Sequence, residues 1–209
     1  MKIKFSLTKL EIARSNPLQF AKSLKSKTRG NTFFNYSRWM AWQNAVHEWN
    51  KNNSQSGAIN YLTNALSNFK IVQKKPKEGG YYIDKLQAYI SSHITNGYYS
   101  LESKHRVLID INPIVSISGQ IPVINMNNNS GYSIILLAKE DLPLDSELKF
   151  PLLQNYFASK VYGVEVSEVE VGYYNFERER FITKSFSKIK ITKALKEVSN
   201  IADVILKNY

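Results

Sequence analysis

The spacing of apolar residues changes near Gly97, and that change most constrains the fold. Before it, apolar residues recur every three or four positions, as they do from Trp39 to Trp49, which is typical of a helix with one buried face. After it, much of the segment 106–138 alternates with a period of two and is rich in β-branched residues, which is typical of strands. A helical first half followed by a β-rich core is therefore predicted.

The same periodicities locate the individual elements. They predict helices in these places: Ser6 or Thr8 to Ala13, Pro17 onward, Tyr36–Trp49, Ala58–Phe69, Tyr82–Ile94, Glu147–Tyr162 and Thr192–Lys207. They predict strands in these places: 106–112, 114–125, 132–138, 168–176 and 180–186. Asn and Gly residues between the second and third strands tolerate positive φ and predict a hairpin there.

The order of these elements predicts the fold class. Ile134 to Ala138 is apolar at every position, as expected for a central strand that helices cover on both faces. We expect an α/β (α+β) fold in which a mixed central sheet is flanked by helices. Because no long linker or repeat divides the chain, residues 1–209 are expected to form one domain, with a mostly helical basic region at 1–98 and a β-rich core at 99–209.

The excess of positive over negative charge lies entirely in the first half of the protein. The net charge is +11, and residues 1–100 hold 15 Lys and Arg against 4 Asp and Glu, whereas residues 101–209 hold 13 of each kind. Such a polarity indicates an anionic partner, and nucleic acid, DNA or RNA, is the commonest one for a basic domain. A surface that is basic only for solubility stays an alternative.

The composition also excludes several classes of protein. Without cysteine, the chain forms no disulfide, iron–sulfur cluster or thiolate zinc site. It has no apolar run of the roughly 20 residues that a membrane helix needs, so no membrane partner is expected. Its N-terminus has no apolar signal segment, and a cytoplasmic location is expected.

Five segments, in order, resemble the RecB-like branch of the PD-(D/E)xK nucleases, which includes the CRISPR-adaptation exonucleases. FSLTKLEIARSNPLQFAKSL resembles the N-terminal segment of that family, with Asn16 where a cysteine often stands. WQNAVHEW is similar to its histidine motif, GQIPVI to its "G.IDVI" motif, LLAK to its "(D/E).K" motif and FPLLQNYFASKVYG to its "Q…Y" helix. The resemblance covers nearly the whole chain and implies a restriction-endonuclease-like sheet without the iron–sulfur cluster.

The two metal-binding acids of that family are absent here. The resemblance places Pro122 and Leu137 at the positions of the acids that would jointly hold Mg²⁺ or Mn²⁺. Hard cations of this kind need oxygen ligands, and neither side chain has an oxygen. We therefore expect no metal and no other cofactor, and a catalytically degenerate protein.

Three motif residues remain, namely His47, Lys139 and Gln154. Lys139 can meet a phosphate as a point charge, and His47 has either a structural or a phosphate-contacting role. The residues expected to contact nucleic acid are Lys139, Gln154, Arg38, Lys74, Lys75 and Lys77. The aromatic residues that could stack on unpaired bases are Tyr36, Trp39, Tyr81 and Tyr82, whereas Trp42 and Trp49 are expected in the core.

Two other functions stay open at this point. Acids relocated to Asp110, Glu140 or Asp141 would rebuild a Mg²⁺- or Mn²⁺-dependent nuclease if two of them converged. Alternatively, the chain is a protein-interaction module whose pocket Leu137 fills. An architectural subunit beside an active nuclease or helicase partner is a further form of the non-catalytic hypothesis.

Overall fold

The computed structural model describes residues 2–25, 36–67, 69, 78–128 and 131–209, with the backbone alone at 78 and 79. In this part of the chain, a mixed six-stranded sheet is flanked by helices, and the predicted fold class is confirmed. The strands are β1 (Ile3–Ser6), β2 (Tyr99–Asp110), β3 (Val115–Met126), β4 (Tyr132–Ala138), β5 (Val169–Asn175) and β6 (Arg180–Lys184). The helices are α1 (Leu10–Ser15), α2 (Pro17–Lys25), α3 (Arg38–Asn52), α4 (Gln55–Ser67), α5 (Glu78–Thr95), α6 (Lys149–Tyr156) and α7 (Lys188–Asn208).

The long strand β3 organises the sheet. β2 runs antiparallel along one of its edges. The other edge is shared, because β1 pairs in parallel with residues 115–118 and β4 pairs antiparallel with residues 123–126. β5 continues the sheet in parallel beside β4, and β6 closes it antiparallel to β5. β4 is thus an interior strand, as its unbroken apolar sequence predicts.

The first strand is absent from the sequence prediction, which places only helix near the N-terminus. Ile3 and Phe5 of β1 are buried in the core, and α1 begins only at Leu10 after a 3₁₀ turn. Neither predicted cap is formed, since the hydroxyls of Ser6 and Thr8 hydrogen-bond each other at 2.9 Å. A four-residue strand shows too few alternations to be recognised by period alone.

Helices cover the sheet on both faces and form two hydrophobic clusters. α1, α2, α6 and α7 pack on one face around a largely aliphatic cluster. α3, α4 and α5 pack on the other face around a cluster rich in aromatic rings, to which β3, β4 and β5 contribute Val123, Ile135 and Tyr174. Trp42 and Trp49 are 0% and 6% exposed in this second cluster, which confirms their predicted place in the core.

Local signals define the ends of α3, the helix that lies nearest the candidate site. The hydroxyl of Ser37 accepts a hydrogen bond from the Met40 N–H at 3.2 Å and so caps the first turn. Asn53 ends the helix with a φ of 50°, a conformation that asparagine tolerates well. No helix within the described ranges combines the length and the apolar character needed to cross a membrane.

We predict that Gly172→Ala destabilises the protein by about 1–3 kcal/mol, the usual cost of overpacking. An added Cβ at Gly172 would lie 2.0 Å from the Ile182 carbonyl oxygen and 2.8 Å from the Thr183 Cα on the paired strand β6, so these strands would have to separate. Urea unfolding followed by circular dichroism measures the change. Gly80→Ala is the matched control, because nothing lies within 4 Å of a Cβ there. Equal stability of both variants would contradict the prediction.

Candidate nucleic-acid interface

An open cleft of about 530 Å³ lies where β4 ends, next to the first turn of α3. Its lining is aromatic and basic and comprises Ser37, Arg38, Trp39, Phe69, Tyr81, Tyr82 and Lys139. These residues come from α3, α5, the end of β4 and the segment after α4. The cleft thus gathers Arg38 and Lys139, two predicted nucleic-acid contacts, with three of the four aromatic residues predicted to stack on bases.

Trp39 forms one wall of this cleft, and its orientation is set by the core. Its ring stacks on Trp42 with centroids 5.0 Å apart and planes 12° apart. The ring of Phe176 meets it edge-on at 5.3 Å. The Lys139 Nζ lies 5.6 Å from the centroid of Trp39, within the range of a cation–π interaction.

A second cation lies over a second ring in the same cleft. The guanidinium carbon of Arg38 is 5.5 Å from the ring centroid of Phe69. Tyr36 stacks on Phe69 with centroids 5.8 Å apart and planes 14° apart. The fourth predicted stacking residue therefore borders the cleft through its contact with Phe69.

Tyr81 is held by an acidic neighbour. Its hydroxyl donates to the two carboxylate oxygens of Glu177 at 3.2 and 3.0 Å. Burial, together with the hydrogen bond and charge of Glu177, raises the pKa of Tyr81 to about 12, so the hydroxyl stays a donor at neutral pH. Lys85 donates to the Glu177 carbonyl at 2.9 Å and pairs with Glu179 at 2.9 Å.

Leu137, which the resemblance aligns with an acid of the nuclease motif, belongs to the aromatic cluster. It is half-buried and packs against the buried residues beneath α3, α4 and α5. Its strand neighbour on β5 is Tyr174, which is fully buried. A carboxylate at this position would be removed from water against aromatic rings, which is costly unless a cation pairs with it.

Pro122, which the resemblance aligns with the other acid, interrupts the ladder between β2 and β3. Ser103 pairs with Val123 and His105 with Ile121, but the pair between them is absent from the register. Proline has no N–H to donate, and Lys104, which lies opposite, adopts a φ of 60°. The proline is therefore associated with a local distortion of the edge strand β2.

His47 lies close to Pro122 through a serine. The Ser103 hydroxyl donates to the Pro122 carbonyl at 2.9 Å, and His47 Nδ1 lies 2.6 Å from the same hydroxyl oxygen. Since the single hydroxyl proton goes to Pro122, Nδ1 is the donor to Ser103. Burial and the nearby Lys104 charge lower the pKa of His47, which favours the neutral ring.

The expected contact between Gln154 and nucleic acid is wrong, because this side chain is 0% exposed. Its Nε2 donates to the Val166 carbonyl at 2.6 Å, the Ser185 hydroxyl at 2.9 Å and the Phe186 carbonyl at 3.2 Å. Its Oε1 accepts from the Phe186 N–H at 2.7 Å. Gln154 is a structural link between α6 and the loop before α7.

The three acids considered as relocated metal ligands lie at different places or have other partners. Asp110 ends β2 opposite Ser116 and is exposed. Asp141 accepts from Asn175 at 2.8 Å and pairs with Arg178 at 2.6 Å, beside β5. Glu140 precedes it in the chain and is exposed. Within the described residues, no group of three or more His, Asp or Glu is placed to hold a metal ion.

Three predicted contacts, Lys74, Lys75 and Lys77, lie outside the described residues and stay predictions. The sequence analysis missed Phe69 as a cleft residue and Ser103 as the link between His47 and Pro122. Phe69 could have been found from the sequence, because it is an aromatic residue at the end of a predicted helix, next to the basic segment that follows. Nothing in the local pattern of β2 distinguishes Ser103.

Comparisons with known proteins give little further guidance. No protein-family model matches the chain, and no curated protein matches it. Among solved structures it is similar to one titled "Crystal structure of SSO0001", with 13% identity over 92% of this chain and 86% of that one, and a TM-score of 0.28. A likeness of this strength assigns neither family nor function.

We predict that Gln154→Ala destabilises the protein by about 1–3 kcal/mol, because it leaves the buried Phe186 N–H without its acceptor. Thermal or urea unfolding measures the loss. Gln87→Ala, on the exposed side of α5, is the matched control with little expected effect. If the Gln154 variant were as stable as the control, its structural role would be disproved.

We predict that stability falls on acidification, partly through His93. Burial lowers the pKa of His93, whose Nε2 lies 3.1 Å from Asn125 Oδ1. The unfolded chain therefore binds a proton near pH 6.5 that the folded state does not, and stability present above that pH is lost as the pH falls toward the folded pKa. Melting temperatures at about pH 7.5 and 5.5 should differ less in His93→Gln than in the wild type. An unchanged difference would contradict this assignment, and His105→Gln is the control.

Proposed function

We propose that this chain is a RecB-like PD-(D/E)xK protein that has lost its metal-binding acids and binds nucleic acid. One observation carries the proposal. Lys139, the lysine at the motif position, lines a cleft with Arg38 and aromatic side chains, whereas Leu137, two residues earlier, packs in the aromatic cluster. The cation is exposed to a ligand while the former acid position is closed.

The placement of the motif positions supports the resemblance. Pro122 and Leu137 lie on β3 and β4, which are neighbouring antiparallel strands, as two acids that share one cation would have to be. The bridge from His47 through Ser103 to Pro122 brings the motif histidine to the same region. His47 and Pro122 are therefore close in space although they are far apart in sequence, and Leu137 lies on the strand next to that of Pro122.

The chemistry of the side chains supports binding over cleavage. Nuclease catalysis by two acids requires carboxylate oxygens that hold a divalent ion, which activates water and neutralises charge on the phosphate. Proline and leucine supply none of this at positions 122 and 137. Asp141, two residues after Lys139, is engaged by Arg178 and Asn175.

The charge distribution supports an anionic ligand. The excess of positive charge lies in the first half of the chain, which also supplies most of the cleft lining. Lys70 directly follows Phe69 in the sequence, and Lys77 lies four residues before Tyr81. The predicted contacts Lys74, Lys75 and Lys77 are thus near the cleft along the chain.

We predict salt-dependent binding to labelled single-stranded and duplex DNA and RNA, measured by fluorescence anisotropy between about 50 and 200 mM salt. Log affinity falls with log salt concentration, and each lost phosphate contact makes this negative slope shallower by about one. Lys139→Ala should therefore reduce the magnitude of the slope by about 1, and the triple change of Lys74, Lys75 and Lys77 to Ala should reduce it by about 2–3. Lys160→Ala, an exposed lysine away from the cleft, is the control that should leave the slope unchanged.

Two outcomes would overturn the proposal. Absence of binding at low salt would remove the nucleic-acid function and favour an architectural or protein-interaction role. Cleavage in Mg²⁺ or Mn²⁺ that is lost in Lys139→Ala would show that a nuclease site has survived with relocated acids. Cleavage that persists in that variant at undiminished rate would point to a contaminating nuclease and leave the binding result to decide.

A further inference from the structure

We propose that the outer edge of β2 pairs with the same edge of a second copy of this chain, antiparallel and in a two-fold register centred on Leu108. The pairing would join two six-stranded sheets into one continuous sheet. It uses a surface other than the cleft and does not rest on the proposed function.

The edge of β2 is open near the end of the strand. β3 pairs along one side of β2, and within the described ranges no strand pairs along the other. α3 reaches the strand at Lys104, which donates to Asn44 at 3.0 Å. Farther along, residues 108–111 line a hollow of about 490 Å³ that residues of α6 and α7 also border. Successive residues of a strand point to opposite faces, so a hollow lined by four in a row opens at the edge and leaves room for another strand.

The backbone of three residues is directed outward at this edge. The Ile111 N–H donates to the Val115 carbonyl of β3 at 3.0 Å, so the backbone polar groups of Ile111 face β3. In antiparallel strands these groups face alternate sides from one residue to the next, and the register is unbroken from residue 105 to residue 110. The residues that face outward are therefore Arg106, Leu108 and Asp110. Unpaired N–H and C=O groups in such a row are a template for a further strand.

The side chains of the same three residues are accessible. Leu108 is 47% exposed, and Arg106 and Asp110, two positions to either side of it, are exposed charges. Neither charge has an ion pair or a side-chain hydrogen bond within the described parts of the chain. This holds for Asp110 even though Lys160 lines the same hollow.

A two-fold axis at Leu108 satisfies all three positions together. In a two-fold contact, a residue that meets another is met by it in return. Leu108 therefore meets Leu108 of the second copy, while Arg106 meets Asp110 in both directions. The outward-facing residues then lie opposite one another, and each of the three pairs exchanges two backbone hydrogen bonds.

Charge complementarity selects the occupant and the register. Opposite charges directly across a strand pair are stabilising, and like charges are destabilising. An axis at Arg106 or at Asp110 would bring like charges together, whereas the axis at Leu108 brings opposite charges together twice. Because the edge is complementary to itself, the occupant we infer is a second copy of the chain.

The paired segment is short. The φ of 60° at Lys104 distorts the strand on one side, and β2 ends at Asp110 on the other. Interfaces of small area are generally weak, so we expect a dissociation constant on the order of micromolar.

The first test is sedimentation equilibrium of the full chain, purified free of nucleic acid, at about 1–200 µM. We expect the average mass to rise with concentration from that of one chain toward that of two. A monomer at every concentration would overturn this inference. It would leave the nucleic-acid proposal standing, because no nucleic acid takes part in the measurement.

Charge reversal tests the register. Arg106→Asp and Asp110→Arg each place like charges opposite one another at two points, so each should weaken the dimer by about tenfold or more. The double variant restores opposite charges and should regain the affinity of the wild type. Arg180→Asp is the matched control, since Arg180 is an exposed arginine on the edge strand β6. Single variants that dimerise as well as this control, or a double variant as weak as the single ones, would overturn the inference.

A disulfide test depends on proximity instead of charge. The chain has no cysteine, so Leu108→Cys introduces one thiol per copy. Paired residues that exchange backbone hydrogen bonds have Cα atoms about 5.5 Å apart, which suits a disulfide. We expect mild oxidation to give a dimer that a reducing agent dissociates. Leu101→Cys is the control, because Leu101 lies on the same strand and is 46% exposed. Equal crosslinking of the two variants would contradict the register.

Discussion

The packing of Trp42, on the buried side of α3, is the interaction on which the candidate site depends. Its fully buried ring contacts Trp39 at 5.0 Å, Phe176 at 4.9 Å, and Tyr89 and Tyr174 at 6.0 Å each. These contacts join α3 to α5 and β5. Truncation of a buried tryptophan costs about 3–5 kcal/mol, so the cluster fixes the helix firmly. Because Trp39 stacks directly on Trp42, the position of the cleft wall follows from the core.

Leu137 and Pro122, the two positions that the resemblance aligns with acids, influence the structure in different ways. At Leu137 an apolar side chain joins the aromatic cluster, so this region needs no cation to offset the repulsion and desolvation of acids. At Pro122 the loss of an N–H accompanies a gap in the β2–β3 ladder and a positive φ at Lys104. The Ser103 hydroxyl donates to the Pro122 carbonyl, so a side chain supplies a hydrogen bond to this carbonyl at the gap in the ladder.

Local periodicity predicted most of the fold but only part of the site. The longer helices and strands and the burial of Trp42 follow from apolar spacing, because that spacing repeats over several turns or alternations. β1 was missed because four residues repeat too little. Gln154 was wrongly placed at the surface because a lone polar residue on a helix shows no sign of its partners, Val166, Ser185 and Phe186, which only folding brings near. The cleft likewise depends on segments that no local pattern joins.

The two faces of the sheet are built from different side chains, and this difference explains why the cleft lies on one face and not on the other. On the face of α1, α2, α6 and α7 the core is mainly aliphatic, and it includes none of the residues that line the cleft. On the face of α3, α4 and α5 the aromatic cluster extends from the buried Trp42 through Trp39 to the surface. The rings and cations of the cleft are held by that packing and by cation–π contacts, none of which requires a bound ion. Under the proposed function, the absence of carboxylates at positions 122 and 137 removes the means to hold a catalytic ion and leaves the packing of the cleft unaffected.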